Sequence, residues 1–358
     1  MISRKTICSL FFFLFLFVES DDKNHVKHGI KIKEKEKVDV ARTIFDHVND
    51  SHKWHIVGNH NDEHEVVLYL PIILWNNGLE ILSSYKFSYG SVVKGKYGYY
   101  KMYRDIIYKT NCVGSFYISP KGIPKNDKPL DFSITKNVVS IFISSFLLSY
   151  LFMRMKYSYR NHQITKWSLG IILEFLILFV RDEIAIPYIG NKKYKIFLPF
   201  LLTSFFFILA NNLMGMVPGF PNVTGNINIT LGLAVITFII TNINANMNYW
   251  KHIFWMPGVP IGIKLILAPI EFIGIFIRPL TLCIRLFANM TAGHIIILSF
   301  ICLIFIFKNF LITGFSIIFG FFISMLEIMV SFLQAFIFTT LSALLIGTSV
   351  RNYDNETR

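Results

Sequence analysis

The chain has 358 residues, of which 53% are hydrophobic and 16% charged, and its mean hydropathy is +0.51. This composition argues against a soluble enzyme and indicates a membrane protein. The formal net charge of +13 would suit a nucleic-acid partner, but much of it lies in short loops beside apolar runs. That distribution follows the positive-inside rule, so it predicts contact with anionic lipid and no nucleic-acid binding.

The first residues have the pattern of an export signal. Arg4 and Lys5 precede the apolar run CSLFFFLFLFV, and the acidic stretch ESDD follows. Because the run is too short to span a bilayer comfortably, residues 1–20 are predicted to be a signal-like leader. The run lacks an A-x-A cleavage pattern, so an uncleaved anchor remains the alternative.

Residues 21–133 form a polar region that is predicted to be exported. The segment VVLYLPIILW and the Tyr- and Lys-rich stretch after Ser83 predict short strands in a small β fold. Five histidines cluster near its start, and their spacing is compatible with a metal site. Solvated histidines are the simpler interpretation, and neither a metal nor another cofactor is assigned. The cluster consists of His47, His52, His55, His60 and His64.

The membrane domain is predicted over residues 134–350, beginning with a span from Val138 to Met153. Four basic residues and no acid follow this span, which places that end in the cytoplasm and the preceding region outside. Trp167 to Ile189 is flanked by basic loops on both sides, so it is predicted to be an amphipathic helix on the cytoplasmic surface. The four basic residues are Arg154, Lys156, Arg160 and Lys166.

Two further spans are predicted from Ile196 to Val217 and from Ile229 to Tyr249. The loop between them, PGFPNVTGNIN, has neither Lys nor Arg and is expected to face outside. Its N-x-T triplets match the glycosylation pattern, but their place at the membrane edge argues against that use.

Prolines 257, 260 and 269 predict a broken, re-entrant apolar stretch before the last two helices. One of these helices is predicted from about Phe272 or Ile277 to Phe307, and the other from Leu311 to Val350. Both exceed the roughly 20 residues of an upright span, so strong tilt is expected. Arg351 and Arg358 predict that residues 351–358 form a cytoplasmic tail. The predicted fold is all-α and polytopic, with about five membrane-embedded helices and one amphipathic surface helix.

Arg285 lies in the middle of the run IRPLTLCIRLFANMTAGHIIILSFICLIFIF, which is otherwise suited to lipid. An ionised guanidinium at the centre of a bilayer costs about 2.5–3.5 kcal/mol on insertion scales, and arginine does not deprotonate. Helical periodicity places Ala288, Asn289 and Ala292 on the same face. These features favour a role on an ion pathway over a structural ion pair or a snorkelling side chain.

The last helix carries Glu327 and Gln334 on nearly the same face, two turns apart. A carboxyl group beside an imidazole can share or relay a proton, so His294 and Glu327 form a candidate pair if the two long helices are antiparallel. A structural hydrogen bond that closes the hairpin is the alternative, and both roles can hold together.

The segments IRPLTLCIRLFANMTAGH and FLQAFIFTTLSALLIG closely resemble the two signature helices of subunit a of the F-type ATP synthase. TGNINIT and ANNLMG are similar to two further motifs of that family, and the resemblance covers roughly residues 134 to 350. It extends to bacterial members with a long exported N-terminal region, which implies an inner-membrane protein.

The resemblance implies a subunit beside a rotating ring of c subunits, with a b-subunit stalk and indirect contact with the F1 sector. Arg285 would face the ring between two half-channels, drive deprotonation of ring carboxylates and block proton leak. The chain would have no catalytic activity alone. Gly215 stands where some members have an acid. The positions that match the family's proton path are His294, Glu327, Asn289, Gln334, Asn212, Asn228 and Thr230.

Two other classes of protein remain as alternatives to this interpretation. A proton-coupled secondary transporter would also bury Arg, His and Glu, but such proteins usually contain an internal repeat, and none is visible here. A non-transporting assembly subunit would account for the apolar helices but not for the polar residues within them.

Overall fold

The computed structural model describes residues 50–57, 66–118, 124–160, 168–217, 219–255, 260–307 and 310–350. The predicted leader and the cytoplasmic tail lie outside these residues, as do His47, His60 and His64. The chain divides into two compact units. The first comprises the described residues up to Ser140 and the described part of the loop Pro218–Pro221, and the second comprises the remainder.

The first unit is built from short antiparallel strands, as the segment VVLYLPIILW and the Tyr- and Lys-rich stretch predict. Strand β1 pairs with β2, β3 pairs with β4 and β8, and β6 pairs with β5 and β7. Pro71 separates the segment VVLYLPIILW into two strands, and a 3₁₀ helix, Ser84–Gly90, precedes the last sheet. The strands are β1 Lys53–Val57, β2 Val66–Tyr69, β3 Pro71–Trp75, β4 Leu79–Ser83, β5 Val93–Lys94, β6 Tyr99–Tyr103, β7 Ile106–Thr110 and β8 Leu130–Asp131.

The core of this unit combines the inner faces of β3 and β4 with β6 and β7. Ile72, Leu74 and Tyr100 are each fully buried there. Glu80 is buried as well, and its Oε2 accepts a hydrogen bond from the Tyr100 hydroxyl at 3.2 Å. A buried carboxyl group is tolerated here because the strand pairing brings a donor to it.

The second unit is helical and confirms the predicted fold class. Among the described residues four helices are long and apolar enough to cross a membrane, and Ile227–Ile243 is a shorter apolar helix. The helices are α1 Lys136–Arg160 (which begins in the first unit), α2 Ser168–Phe179, α3 Ile186–Ile189, α4 Tyr194–Gly215, α5 Ile227–Ile243, α6 Met247–Phe254, α7 Ile261–Phe307 and α8 Phe310–Val350.

Two predicted boundaries are wrong. Pro269 does not break the chain, since α7 continues through it as one helix of 47 residues, about 70 Å long. Proline removes one backbone hydrogen bond, whereas ending the helix in lipid would expose several unpaired backbone groups, so continuing is cheaper. The predicted span to Tyr249 ends instead at Ile243, and α6 is a separate helix.

The break after α5 is stabilised by the end of the last helix. Asn246 donates its backbone N–H to the Ser349 carbonyl at 2.9 Å and its side-chain Nδ2 to the Val350 carbonyl at 2.9 Å. The final carbonyls of a helix lack intrahelical partners, so these bonds satisfy groups that α8 leaves open.

The predicted amphipathic helix is present as α2, a π-helical segment Val180–Ala185 and α3. Val180 and Ile184 are fully buried and belong to the same apolar core as Leu201 and Phe205 of α4. Arg181 is half-buried and Asp182 is exposed, and the two form an ion pair at 2.7 Å. One side of the segment therefore joins the helical core, and the charged side does not.

Candidate functional site

Arg285 lies on the face of α7 that the rest of the chain leaves exposed. The residues that periodicity predicts on this face are exposed too. The opposite face is buried, with Leu286 and Met290 each 1% exposed. The helix therefore presents one charge, one amide and two methyl groups outward, which is smooth enough for a second helix to approach closely. The exposed neighbours of Arg285 are Ala288, Asn289 and Ala292.

The guanidinium of Arg285 is not neutralised by the described part of its own chain. No carboxylate among the described residues forms an ion pair with it. Arg278, two turns earlier on α7, does form one, since its Nη2 lies 2.8 Å from Oε1 of Glu271. Two arginines on one apolar helix therefore differ in kind, one paired within the chain and the other open to a partner.

Helices α7 and α8 form an antiparallel pair, as the proposed His–Glu pairing requires. Phe300 stacks on Phe319 with ring centroids 6.2 Å apart. Gly293 lies seven residues before Phe300 on α7, and Glu327 lies eight residues after Phe319 on α8. A Cβ added at Gly293 would lie 3.1 Å from Oε1 of Glu327. The residue numbers of contacting partners fall along α7 as they rise along α8, so the two helices are antiparallel.

The carboxyl group of Glu327 is buried beside the backbone of Gly293, the residue before His294. Its side chain belongs to a residue only 5% exposed, and neither oxygen has a hydrogen-bond partner among the described residues. The imidazole of His294 is half-buried and does not bond to this carboxyl group. His294 and Glu327 therefore lie at the same height along the antiparallel helices, but no hydrogen bond joins their side chains.

Asn212 and Gln334 are in direct contact across α4 and α8. Asn212 Nδ2 donates to Gln334 Oε1 at 3.0 Å and lies 3.4 Å from the Ser331 carbonyl oxygen. Thr224, in the loop between α4 and α5, donates its hydroxyl hydrogen to Asn212 Oδ1 at 2.6 Å. All three side chains are buried, so the network holds polar groups inside the helical unit.

Sequence reasoning missed Thr224 and its neighbour Asn222. Asn222 Oδ1 accepts from the Gly225 N–H at 3.0 Å and its Nδ2 donates to the Met290 carbonyl at 3.2 Å, which attaches the loop to α7. Both residues belong to the N-x-T triplet that was set aside as a glycosylation pattern. An uncharged loop rich in Asn and Thr beside apolar spans was the available signal.

The remaining predicted positions lie apart from this network. Thr230 is buried, and its Oγ1 lies 3.4 Å from Sγ of Cys283 on α7. Asn228 is exposed, and its backbone N–H is capped by Oδ1 of Asn226 at 3.0 Å. The structure therefore places Thr230 against α7 but does not bring the Asn228 side chain into a buried cluster.

The histidine-rich segment provides no metal site in the described part of the chain, where no group of three or more His, Cys, Asp and Glu could hold an ion. His52 is buried, and its Nε2 lies 3.3 Å from Oδ2 of Asp131. The His55 side chain is outside the described atoms. His52 therefore has a structural role in joining β8 to the chain before β1.

Two family models match separate parts of the chain. A family model for the ATP synthase A chain matches residues 138–347, and one for a domain of unknown function (DUF8433) matches residues 43–132. The chain is 42% identical over 232 residues to an "ATP synthase subunit a" of Chloroherpeton thalassium, covering 63% of this chain and 69% of that protein.

Two further relatives show the same degree of similarity. A protein of Prosthecochloris aestuarii with the name "ATP synthase subunit a 2" is 43% identical over 234 residues, covering 63% of this chain and 71% of its own length. An "ATP synthase subunit a" of Myxococcus xanthus is 42% identical over 233 residues, covering 63% and 75%. Since the family model covers more than half of the 358 residues, the chain belongs to the ATP synthase A chain family.

Proposed function

We propose that this chain is the proton-translocating subunit a of the Fo sector of a bacterial ATP synthase. It forms two offset half-channels against a ring of c subunits, assembles with a b-subunit stalk, and contacts F1 only indirectly. It lies in the inner membrane with residues 21–133 outside and its C-terminus in the cytoplasm, and the α2–α3 segment lies on the cytoplasmic surface. ATP chemistry takes place on partner subunits.

One observation carries this proposal: Arg285 is exposed on a smooth face of a long apolar helix. A charge that faces lipid there would be costly, whereas a charge that faces a carboxylate on a neighbouring ring is stabilised. Ala288 and Ala292 leave room for the ring helix to pass, and Asn289 adds a neutral amide beside the charge.

The mechanism follows from electrostatics. A ring carboxylate that faces lipid is neutral, because its ionised form would lose hydration without compensation. Beside Arg285 the ionised form is favoured, so the carboxyl group releases its proton into one half-channel. It takes up another proton from the second half-channel before it returns to lipid. The permanent charge of Arg285 also blocks proton leak between the two.

Glu327 and His294 line the outer access path in this proposal. The buried carboxyl group of Glu327 and the adjacent imidazole exchange protons with water that enters from outside. Asn289, Gln334, Asn212, Asn228 and Thr230 supply the polar lining. Support comes from the burial of Glu327 with unpaired oxygens and from the amide network on the same face of α8.

The test compares two arginines of the same helix. Arg285→Lys retains the charge but loses the planar donor geometry of the guanidinium, and we expect ATP-driven proton pumping into inverted membrane vesicles to be lost. Arg278→Lys is the matched control, because its charge is held by Glu271, and it should pump at a rate close to that of the unmodified chain. Normal pumping by Arg285→Lys would refute the proposed role.

A further inference from the structure

Helix α6 has one buried face and one exposed face. Tyr249 and Ile253 are buried in one apolar cluster with Ile275 of α7. Lys251 and Phe254 lie on the opposite face of the helix, and both are exposed. A face that combines a cation with apolar side chains suits neither bulk water nor the hydrocarbon core. It is typical of helices that lie at the boundary between the two.

The exposed aromatic side chains of α6 continue beyond the helix. The Phe254 ring stacks on Trp250 with centroids 6.4 Å apart and lies 6.0 Å from the ring of Phe272 on α7. Trp255, the residue after the helix, is 62% exposed. Tryptophan is enriched at the level of lipid headgroups, because its ring is apolar and its N–H group finds a polar partner there. The end of α6 therefore has the composition of an interfacial anchor.

The start of α6 lies at one end of the last long helix. Asn246, the residue before α6, donates hydrogen bonds to the carbonyl groups of Ser349 and Val350, the final residues of α8. An apolar helix of 41 residues that crosses a membrane ends near the headgroups, and Arg351 follows it directly in the sequence. The two bonds therefore fix the start of α6 near a boundary of the membrane.

The beginning of α7 gives a second indication of the same depth. Among the described side chains of residues 262–273, none is buried. Leu265 and Ile266, which point to different sides of the helix, are both exposed. A helix segment that is largely apolar and uncovered on all sides needs apolar surroundings. Ile275, where α6 packs, follows this segment directly, so α6 lies against a helix that belongs in lipid.

The charge of α6 is positive and has no acidic partner in the part of the chain that the structure describes. The helix has the sequence MNYWKHIF, with one lysine and no acid. No carboxylate among the described residues forms an ion pair with Lys251. At the depth of the headgroups the complementary anions are phospholipid phosphates, and a long lysine side chain extends to them from a helix that packs on apolar residues.

We propose that α6 and Trp255 form a binding site for an anionic phospholipid. Lys251 contacts the lipid phosphate, while Phe254 and Trp255 enter the boundary between headgroups and acyl chains. An anionic lipid is preferred over a zwitterionic one, because the headgroup of the latter carries a cation that opposes the lysine. Lipid binding does not depend on proton translocation, and only the assignment of the site to the cytoplasmic leaflet rests on the proposed function.

The test measures contact between Trp255 and lipid in the full chain reconstituted into liposomes. Lipids with bromine on the acyl chains near the headgroup quench tryptophan fluorescence on contact. The Trp255 signal is the difference between a chain and the same chain carrying Trp255→Phe. We expect brominated phosphatidylglycerol to compete for this position about fivefold better than brominated phosphatidylcholine, which corresponds to the roughly 1 kcal/mol contributed by one lysine near an anionic surface.

Substitutions of Lys251 test the phosphate contact. Lys251→Gln should remove the preference and leave Trp255 quenched equally by both lipids, because the apolar contact remains. Lys251→Arg keeps the charge and should keep the preference. Lys156→Gln, which removes another exposed lysine of the helical unit, is the matched control and should also keep it. A preference that survives in Lys251→Gln, one that Lys156→Gln removes equally, or an absence of quenching by either lipid overturns the inference.

The same measurement on the assembled ATP synthase distinguishes lipid from a protein partner. If brominated lipid quenches Trp255 in the isolated chain but not in the complex, another subunit covers this surface and the inference is overturned. Proton pumping by Arg285→Lys is independent of both results. Normal pumping would refute the proposed function and leave the lipid site intact, whereas failed quenching would refute the lipid site and leave the role of Arg285 intact.

Discussion

Glu327 of α8 packs its carboxyl group against Gly293 of α7, where an added Cβ would lie 3.1 Å from Oε1. The missing side chain at this position provides the space that the buried carboxyl group occupies. His294 is the next residue along α7, so the same contact places the two titratable residues at one level of the antiparallel pair. The geometry makes Gly293 a sensitive probe of the Glu327 position.

Gly293→Ala should slow ATP-driven proton pumping, because the added methyl group forces the Glu327 side chain toward a less favourable rotamer. We expect a reduction of about threefold, the effect of a modest off-rotamer displacement. Gly274→Ala on the same helix is the control, since nothing lies within 4 Å of its added Cβ. Equal rates for the two variants would show that the Glu327 carboxyl group tolerates displacement.

Exchange of the two titratable residues tests whether they work as a pair. His294→Glu and Glu327→His should each impair pumping, and the double variant should pump faster than either single one, because the pair keeps one acid and one imidazole. Pumping assays on the three variants, normalised to the amount of chain in the membrane, decide the matter. If the loss of pumping in the double variant equals the two single losses combined, the two residues have independent roles.

Gly347 should tolerate no side chain. A Cβ at this position would clash with the Tyr188 carbonyl oxygen, a backbone atom that cannot rotate away. We expect Gly347→Ala to destabilise the helical unit by about 1–3 kcal/mol, as overpacking generally does. The measurement is the midpoint of thermal aggregation of the purified chain in detergent. Gly232→Ala, where the added Cβ has open space, should not lower the midpoint and should raise it slightly, because alanine favours a helix interior over glycine.

The first unit should lose stability in acid through Asp131. Burial alone would raise the pKa of this carboxyl group, but interactions with His52 and hydrogen bonds from Ser133 outweigh burial and hold the pKa below its usual value. A lowered folded-state pKa means that the stabilisation is present above the ordinary aspartate value of about 3.9 and is lost as the pH falls through the folded-state value.

Limited proteolysis near β8 at decreasing pH measures this loss in the full chain, with an acid-active protease. Asp131→Asn should be cleaved readily at all pH values and should show little pH dependence of its own. Asp127→Asn replaces an exposed aspartate close in sequence and should behave like the unmodified chain. Acid-induced cleavage that is the same with and without Asp131 would contradict the assignment.

Several strands of the first unit, β2 and β3 among them, and most of the long helices were predictable because their signals are local. The apolar run PIILW predicts a strand, and apolar runs longer than the bilayer predict helices such as α8. The buried face of LEILS was not predictable, because Glu80 is buried while Leu79 and Ile81 are exposed.

Pro269 led to the wrong prediction of a helix break, because proline does remove one backbone hydrogen bond from a helix. The penalty for exposing several unpaired backbone groups to lipid is larger, so the helix continues. The end of α5 depends on Ser349 and Val350, about a hundred residues away in sequence, so no local pattern indicates it.

The sequence by itself determined that Arg285 is a permanent charge in an apolar helix and which side chains share its face, since both depend only on residue chemistry and helical period. Only the tertiary structure decided that this face is left uncovered while the opposite face is buried. It alone also joined Asn222, Thr224 and Asn212 to Gln334. The physical reason is that helical period relates residues a few positions apart, whereas hydrogen bonds between α4, a loop and α8 depend on how helices pack and in what register.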